Sequence, residues 1–159
     1  MPPQAPTAQA TANPANSSAD ASGAAGVLHW TLADMKAFEA ELDGDPQSSV
    51  KNPVRSITNV TENETVRRTS FGKSGEAEIH NRVTDVFCIL SGEAEFLVGG
   101  EIEEARVTNP GEVRGPSIKG GTTKKTVVGD VIIIPPGTPH QILVQPGQRC
   151  SFLVAKYRH

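Results

Sequence analysis

The sequence predicts an all-β domain, a sandwich, jelly roll or small barrel, preceded by a tail and one short helix. Three observations carry that expectation. From Val54 onward the apolar residues alternate or cluster in short runs; Gly, Pro and Asn punctuate those runs; and nothing after Gly44 shows helical spacing. The chain is 159 residues long and only 36% hydrophobic, low for one packed throughout, so part of it is expected to stay outside any core. With 15 Lys+Arg against 18 Asp+Glu, it has no basic excess to neutralise a run of phosphates, which argues against nucleic acid as a partner. No stretch approaches the roughly 18 consecutive apolar residues of a membrane-spanning helix.

Residues 1–26 contain nine Ala, with Pro, Ser, Thr, Gln and Asn filling most of the rest, and no Lys, Arg, Leu, Ile or Phe. Such a composition buries too little to offset the entropy of ordering it, and a disordered tail is expected. The tail has neither a basic start nor an apolar h-region, so no export signal is expected in this chain. An Ala-rich leader is also compatible with a processed extracytoplasmic protein, and the compartment is left unassigned. Asn16-Ser17-Ser18, Asn59-Val60-Thr61 and Asn63-Glu64-Thr65 fit the glycosylation triplet, a pattern that recurs by chance in polar stretches.

Residues 27–52 are read as a helix and a linker. Leu32, Met35, Phe38 and Leu42 are spaced for one face of a helix from about Thr31 to Asp43. Thr31 is placed to cap it with Asp34 at the third helical position, and Gly44 is placed for a left-handed stop. Trp30 and Phe38 are read as helix packing, and His29 as a solvated residue beside the helix.

Residues 53–159 form the β domain. Strands are expected over Val54–Val60, Thr65–Phe71, Glu76–Val83, Val86–Leu90, Ala94–Val98, Lys124–Val128, Val131–Ile134, Gln141–Val144 and Cys150–Tyr157. Turn signals separate them, among them Gly99-Gly100, Gly129-Asp130 and Gln145-Pro146-Gly147. Arg106 to Thr123 is Gly-rich and poor in strand formers, which makes it a lid or interface candidate rather than a strand. Two cysteines, Cys88 and Cys150, are too few and too far apart for a disulfide framework or a zinc knuckle, and half-buried thiols are expected.

One segment carries chemistry. Gly129-Asp130-Val131-Ile132-Ile133-Ile134-Pro135-Pro136-Gly137-Thr138-Pro139-His140 holds a turn, a buried strand, a rigid corner and a histidine opening the next strand. The corner fixes where His140 points, as a metal ligand requires. Its spacing, G-x5-P-x-G-x2-H, resembles the second motif of the cupin superfamily at every fixed position as far as the histidine; Val144 stands where that family usually has Asn. Gly75 to Gly92 resembles the first cupin motif with departures. His80 to Asp85 has the spacing of the motif's second histidine to its glutamate, and Asp85 to Gly92 that of the glutamate to the closing glycine. On this register Glu78 replaces a histidine and Asp85 the glutamate, and all four positions keep a side chain able to bind a metal. Glu78 and His80, two apart on a strand, share a face; Asp85, Phe87 and Ile89 share a face of the next strand, with Val86, Cys88 and Leu90 opposite.

The resemblance implies a double-stranded β-helix, the cupin jelly-roll barrel, usually dimeric, with one mononuclear metal near one end. His80, His140, Asp85 and Glu78 are the implied ligands. Two imidazoles and two carboxylates form a hard set suited to Mn²⁺ or Fe²⁺, with Zn²⁺ admissible and Cu(I) disfavoured. The expected function is that of a metal-binding monocupin, a metal-dependent enzyme on a small organic substrate, dioxygenase-, lyase- or isomerase-like. Glu78 is then the candidate acid/base if it is not a ligand. The alternative is a non-catalytic small-molecule-binding or structural cupin with a degenerate site, where Glu78 and Asp85 are polar residues at the rim. Arg67, Arg68 and Lys156 lie on strands, where one can reach inward to an anionic substrate or all can face water; His159 is read as solvated. The apolar outward face around Cys88 calls for cover by the Thr31 helix or a second subunit, and a homodimer is expected.

Overall fold

The computed structural model describes residues 29, 31–44, 54–61 and 64–159. The expected tail over 1–26 and the packing role of Trp30 lie outside the described residues.

Helix α1 runs from Leu32 to Asp43. Thr31 accepts from the Asp34 amide while the Asp34 carboxylate accepts from the Thr31 amide, the reciprocal pair that starts the helix. Met35, Phe38 and Leu42 are buried, but Leu32 is 66% exposed. At about 100° per residue, Leu32 points roughly 90° away from the mean direction of the other three, off the packed stripe. Gly44 ends the helix in right-handed geometry (φ −78°), its N–H donating to the Ala40 carbonyl, so the expected left-handed stop is corrected. A continued helical turn satisfies that carbonyl without a change of hand.

The strands are β1 (Val54–Thr61), β2 (Glu64–Phe71), β3 (Ala77–His80), β4 (Val83–Gly92), β5 (Ala94–Val98), β6 (Glu101–Ile102), β7 (Arg106–Asn109), β8 (Glu112–Gly115), β9 (Ile118–Lys119), β10 (Thr122–Thr126), β11 (Val131–Ile134), β12 (His140–Leu143) and β13 (Cys150–Arg158). They form a five-stranded sheet in the order β1-β2-β13-β4-β11, a six-stranded sheet in the order β10-β5-β12-β3-β8-β7, and the small pair β6-β9. Every pairing is antiparallel. Helix α1 packs against β2 at one side of the first sheet, and Glu39 accepts a hydrogen bond from the Ser91 hydroxyl.

The sheets face each other across one core. Phe87 and Ile89 of β4, Phe152 and Val154 of β13 and Ile134 of β11 meet Phe96 of β5 and Ile142 of β12. Phe87 sits at the centre, its ring 5.1 Å from Phe96 and 5.3 Å from Phe152, both edge-on. The period of two in β4 behaves as expected: Val83, Asp85, Phe87 and Ile89 are buried, and the residues between them are half-buried.

Two expectations are corrected. Arg106 to Thr123 is not an irregular stretch but contains β7, β8, β9 and the start of β10, and β8 pairs with β3. Their two- to five-residue length and polar composition hid strands that cross-strand pairing stabilises despite weak intrinsic preference. Glu76 to Val83 is not one strand either, because the chain turns at Asn81-Arg82, where the Asn81 amide donates to the Gly111 carbonyl. Cys88 is half-buried and Cys150 fully buried, and no disulfide joins them.

Candidate metal centre

The candidate site is a row of cross-strand neighbours at one end of the barrel. On the six-stranded sheet Glu78 lies opposite Arg114 of β8 on one side and His140 of β12 on the other, while His80 lies opposite Glu112. On the five-stranded sheet Asp85 lies opposite Ile134 of β11 and Lys156 of β13. Directly opposed residues on one face are in contact range, so these registers bring seven ionisable side chains, two of them imidazoles, from five strands into one cluster.

The Pro/Gly corner is tied down as its composition suggests. Gly137 has φ 76°, open to glycine and strained for other residues, and its N–H donates to the backbone carbonyl of His80 at 2.8 Å. The Pro139 carbonyl accepts from the Gly99 amide. His140 Nδ1 lies 3.0 Å from the Thr138 carbonyl, which leaves Nε2 aimed inward, 3.6 Å from Asp85 Oδ2. Thus the corner anchors both histidine-bearing segments to each other.

His80 is held at both ring nitrogens. Nδ1 lies 2.5 Å from Glu112 Oε2. Nε2 faces Glu78 Oε2 at 2.9 Å, Lys156 Nζ at 3.2 Å and Asp85 Oδ2 at 3.5 Å. An Nε2–H donates to Glu78, whereas a bare Nε2 accepts from Lys156, so the two contacts exclude one another as hydrogen bonds. Arg114 binds the other oxygen of Glu78 at 2.6 Å. Lys156 Nζ lies 2.8 and 2.7 Å from the two oxygens of Asp85, which is only 1% exposed.

The ligand atoms of Glu78, His80 and His140 all lie within 4.8 Å of one another. Bonds of about 2.0–2.2 Å to one ion place neighbouring donor atoms roughly 3 to 4 Å apart, so the three donor atoms are grouped closely enough for a small divalent cation to draw them together. Asp85 also faces both imidazoles, but its two oxygens are engaged by Lys156.

Electrostatics agree with charge held in a partly desolvated place. Burial pushes the Glu78 carboxyl up, but the His80 hydrogen bond, the Arg114 guanidinium and the two imidazoles more than offset it and hold the group at about 2. Glu78 is therefore an anion at neutral pH, suited to hold a cation and a poor proton donor. Burial pushes His140 below its usual value despite the Thr138 carbonyl and the carboxylates of Glu78 and Asp85, which favours the neutral imidazole a metal needs.

The four residues singled out from the sequence, Glu78, His80, Asp85 and His140, lie together. Sequence reasoning missed Glu112 and Arg114, which sit on a strand not foreseen and become neighbours of β3 only through long-range register. It left Lys156 open. The signal was there in the alternation of Phe152, Val154 and Lys156, which places the lysine on the inward face. His159 is exposed as expected, with its Nε2 2.8 Å from the Thr84 hydroxyl. The backbones of Arg67 and Arg68 lie in β2.

No family model matches the chain, and no curated protein matches it. Solved structures do. An uncharacterized conserved protein with a double-stranded β-helix domain from Klebsiella pneumoniae superposes with a TM-score of 0.51 at 17% identity, over 68% of this chain and 77% of that one. Peruvianin-I, described as a cysteine peptidase from Thevetia peruviana latex, superposes with a TM-score of 0.50 at 19% identity, over 76% of this chain and 69% of that one. At such identities the likeness concerns the fold alone. With the two facing antiparallel sheets, it shows that this chain has a double-stranded β-helix fold.

Proposed function

We propose that this cupin is a metal-dependent enzyme acting on a small organic substrate, with His80, His140 and Glu78 holding one divalent ion and Asp85 available as a fourth ligand. The observation that carries the reading is the convergence of the three ligand atoms within 4.8 Å at the end of the barrel. The mixed imidazole and carboxylate set suits Mn²⁺ or Fe²⁺, with Zn²⁺ also accommodated. When bound, such an ion supplies Lewis acidity toward a carbonyl or an open position for O₂, and so serves dioxygenase-, lyase- or isomerase-like chemistry alike.

The protein's own residues prepare that seat. Glu112 orients His80, the Thr138 carbonyl orients His140, and Arg114 fastens one oxygen of Glu78 while leaving the other directed inward. Phe87 of the core brings its ring within 6.4 Å of His140, so the polar cluster borders the apolar core directly. The low-lying Glu78 carboxyl favours a ligand over a general acid.

The test is metal content per chain by plasma mass spectrometry on protein purified without chelators or an affinity-metal column. Wild type is expected to carry close to one Mn, Fe or Zn, and His80→Ala and His140→Ala to carry none. Wild type that holds no metal and takes up none from Mn²⁺, Fe²⁺ or Zn²⁺ defeats the reading.

A second reading is favoured by one observation. Lys156 pairs with both oxygens of Asp85 and reaches His80, so Asp85 already has a counter-charge without a metal. A cupin with such a site can serve as a non-catalytic module that binds a small molecule or has a structural role. A wild-type chain that holds and takes up no metal supports this reading over the first.

We further propose that the protein is a homodimer. Val131 and Ile133 of β11, at the edge of the five-stranded sheet, are exposed, and so are Val127 and Val128 just before it. An apolar, unpaired strand edge favours a second copy over water.

A further inference from the structure

We infer that Lys156 is an internal occupant of the metal seat, so that the site has a lysine-closed form, seen here, and an open form in which Lys156 has withdrawn and a divalent cation takes its place. The inference rests on the metal-binding reading above and goes beyond it by assigning a gate residue.

The geometry allows one cation at a time. Lys156 Nζ lies 2.7 and 2.8 Å from the Asp85 oxygens and 3.2 Å from His80 Nε2. An ion bonded to the same atoms at about 2.0–2.2 Å would sit well inside contact distance of that nitrogen. Two positive charges cannot share the place in a partly desolvated pocket.

Charge balance gives the lysine its reason for being there. Asp85 is buried, and a buried carboxylate without a counter-charge is strongly unfavourable. Lysine or metal satisfies it, and the absence of both does not. Lys156 is also built to leave. It sits on a flexible four-carbon stem, is 20% exposed at its side chain, and lies one residue before the exposed Tyr157 near the end of β13. Arg114 plays no such part, because its guanidinium binds the oxygen of Glu78 that faces away from His80.

Zn²⁺ titration calorimetry on wild type, Lys156→Met and Lys156→Met/His140→Ala, at one neutral pH and fixed salt, tests this. Methionine keeps an unbranched stem and removes the charge. Wild type and Lys156→Met are expected to bind one ion per chain, with Kd lowered roughly tenfold or more in Lys156→Met, as when a binding-competent state populated to about a tenth becomes dominant. The double variant is expected to lose binding. One ion bound by wild type with equal or weaker affinity in Lys156→Met overturns the gate and leaves the metal reading standing. No binding by either overturns both.

Because Lys156→Met leaves a buried carboxylate unpaired and puts the fold at risk, a second arm uses the wild-type chain alone. Lysines are acetylated with N-hydroxysuccinimidyl acetate and followed by mass spectrometry. Saturating Zn²⁺ is expected to speed modification of Lys156 several-fold while exposed Lys119 and Lys124 keep their rates. An unchanged or slower Lys156 rate in a chain that has bound Zn²⁺ overturns the gate.

Discussion

His80 is the residue on which the cluster turns, since Glu112 holds one ring nitrogen while Glu78 and Lys156 contend for the other. A carboxylate behind a ligating imidazole fixes its orientation and raises its basicity, commonly worth about 10–100-fold in metal affinity. Glu112→Ala is therefore expected to raise the Zn²⁺ Kd by about that factor with little change in thermal stability, as calorimetry and a melting curve would show. Unaltered affinity would mean that the strand alone orients His80. At this scale the sequence was informative where a residue type is rare and its spacing rigid, as for His140 behind Gly137 and Pro139. It was uninformative for Glu112 and Arg114, because a charged residue on a short polar strand looks the same whether it faces a site or solvent. Lys156 lies between these cases. Its phase with Phe152 and Val154 points inward, yet a lone lysine at a strand end faces water more often than not.

Among elements, β4 and its closing turn show how tightly the motif is built. Gly92 has φ 69°, and a Cβ there would lie 1.8 Å from the Arg149 carbonyl oxygen, a backbone atom that cannot step aside. Both the strain of a left-handed residue and the clash oppose substitution. Gly92→Ala is expected to cost about 2–5 kcal/mol, read from denaturant unfolding, and an undiminished midpoint would show that the β4–β5 turn can relax. The strands of β4, β5 and β13 were legible because apolar alternation or an apolar run reports burial, whereas β11, expected as a buried strand, leaves Val131 and Ile133 exposed because it lies at the sheet edge. The pieces between 101 and 119 were not, since Glu101–Ile102 and Ile118–Lys119 are two residues each and owe their form to pairing with one another. Helix α1 was legible through its cap and its buried stripe, and misjudged at both ends, at Leu32 and Gly44.

For the molecule as a whole, the edge at β11, unpaired among the described residues, bears on assembly. If two copies meet there, Val131→Asp/Ile133→Asp is expected to convert a dimer into a monomer in light scattering while leaving metal content unchanged, because both side chains are exposed and lie outside the cluster. A wild-type chain that runs as a monomer would end the homodimer proposal. The cluster borders the core, so that the inward face of β12 passes from Ile142 to His140 and that of β13 from Phe152 and Val154 to Lys156.

By itself the sequence determined the all-β class, the capped helix, the inward face of β4 and the corner that directs His140, since each follows from local periodicity, capping or turn chemistry. Only the tertiary structure decided that Glu112 backs His80, that Arg114 secures Glu78 and that Lys156 reaches Asp85. These contacts join residues 32, 36 and 71 positions apart, and only the pairing register of distant strands can bring them together.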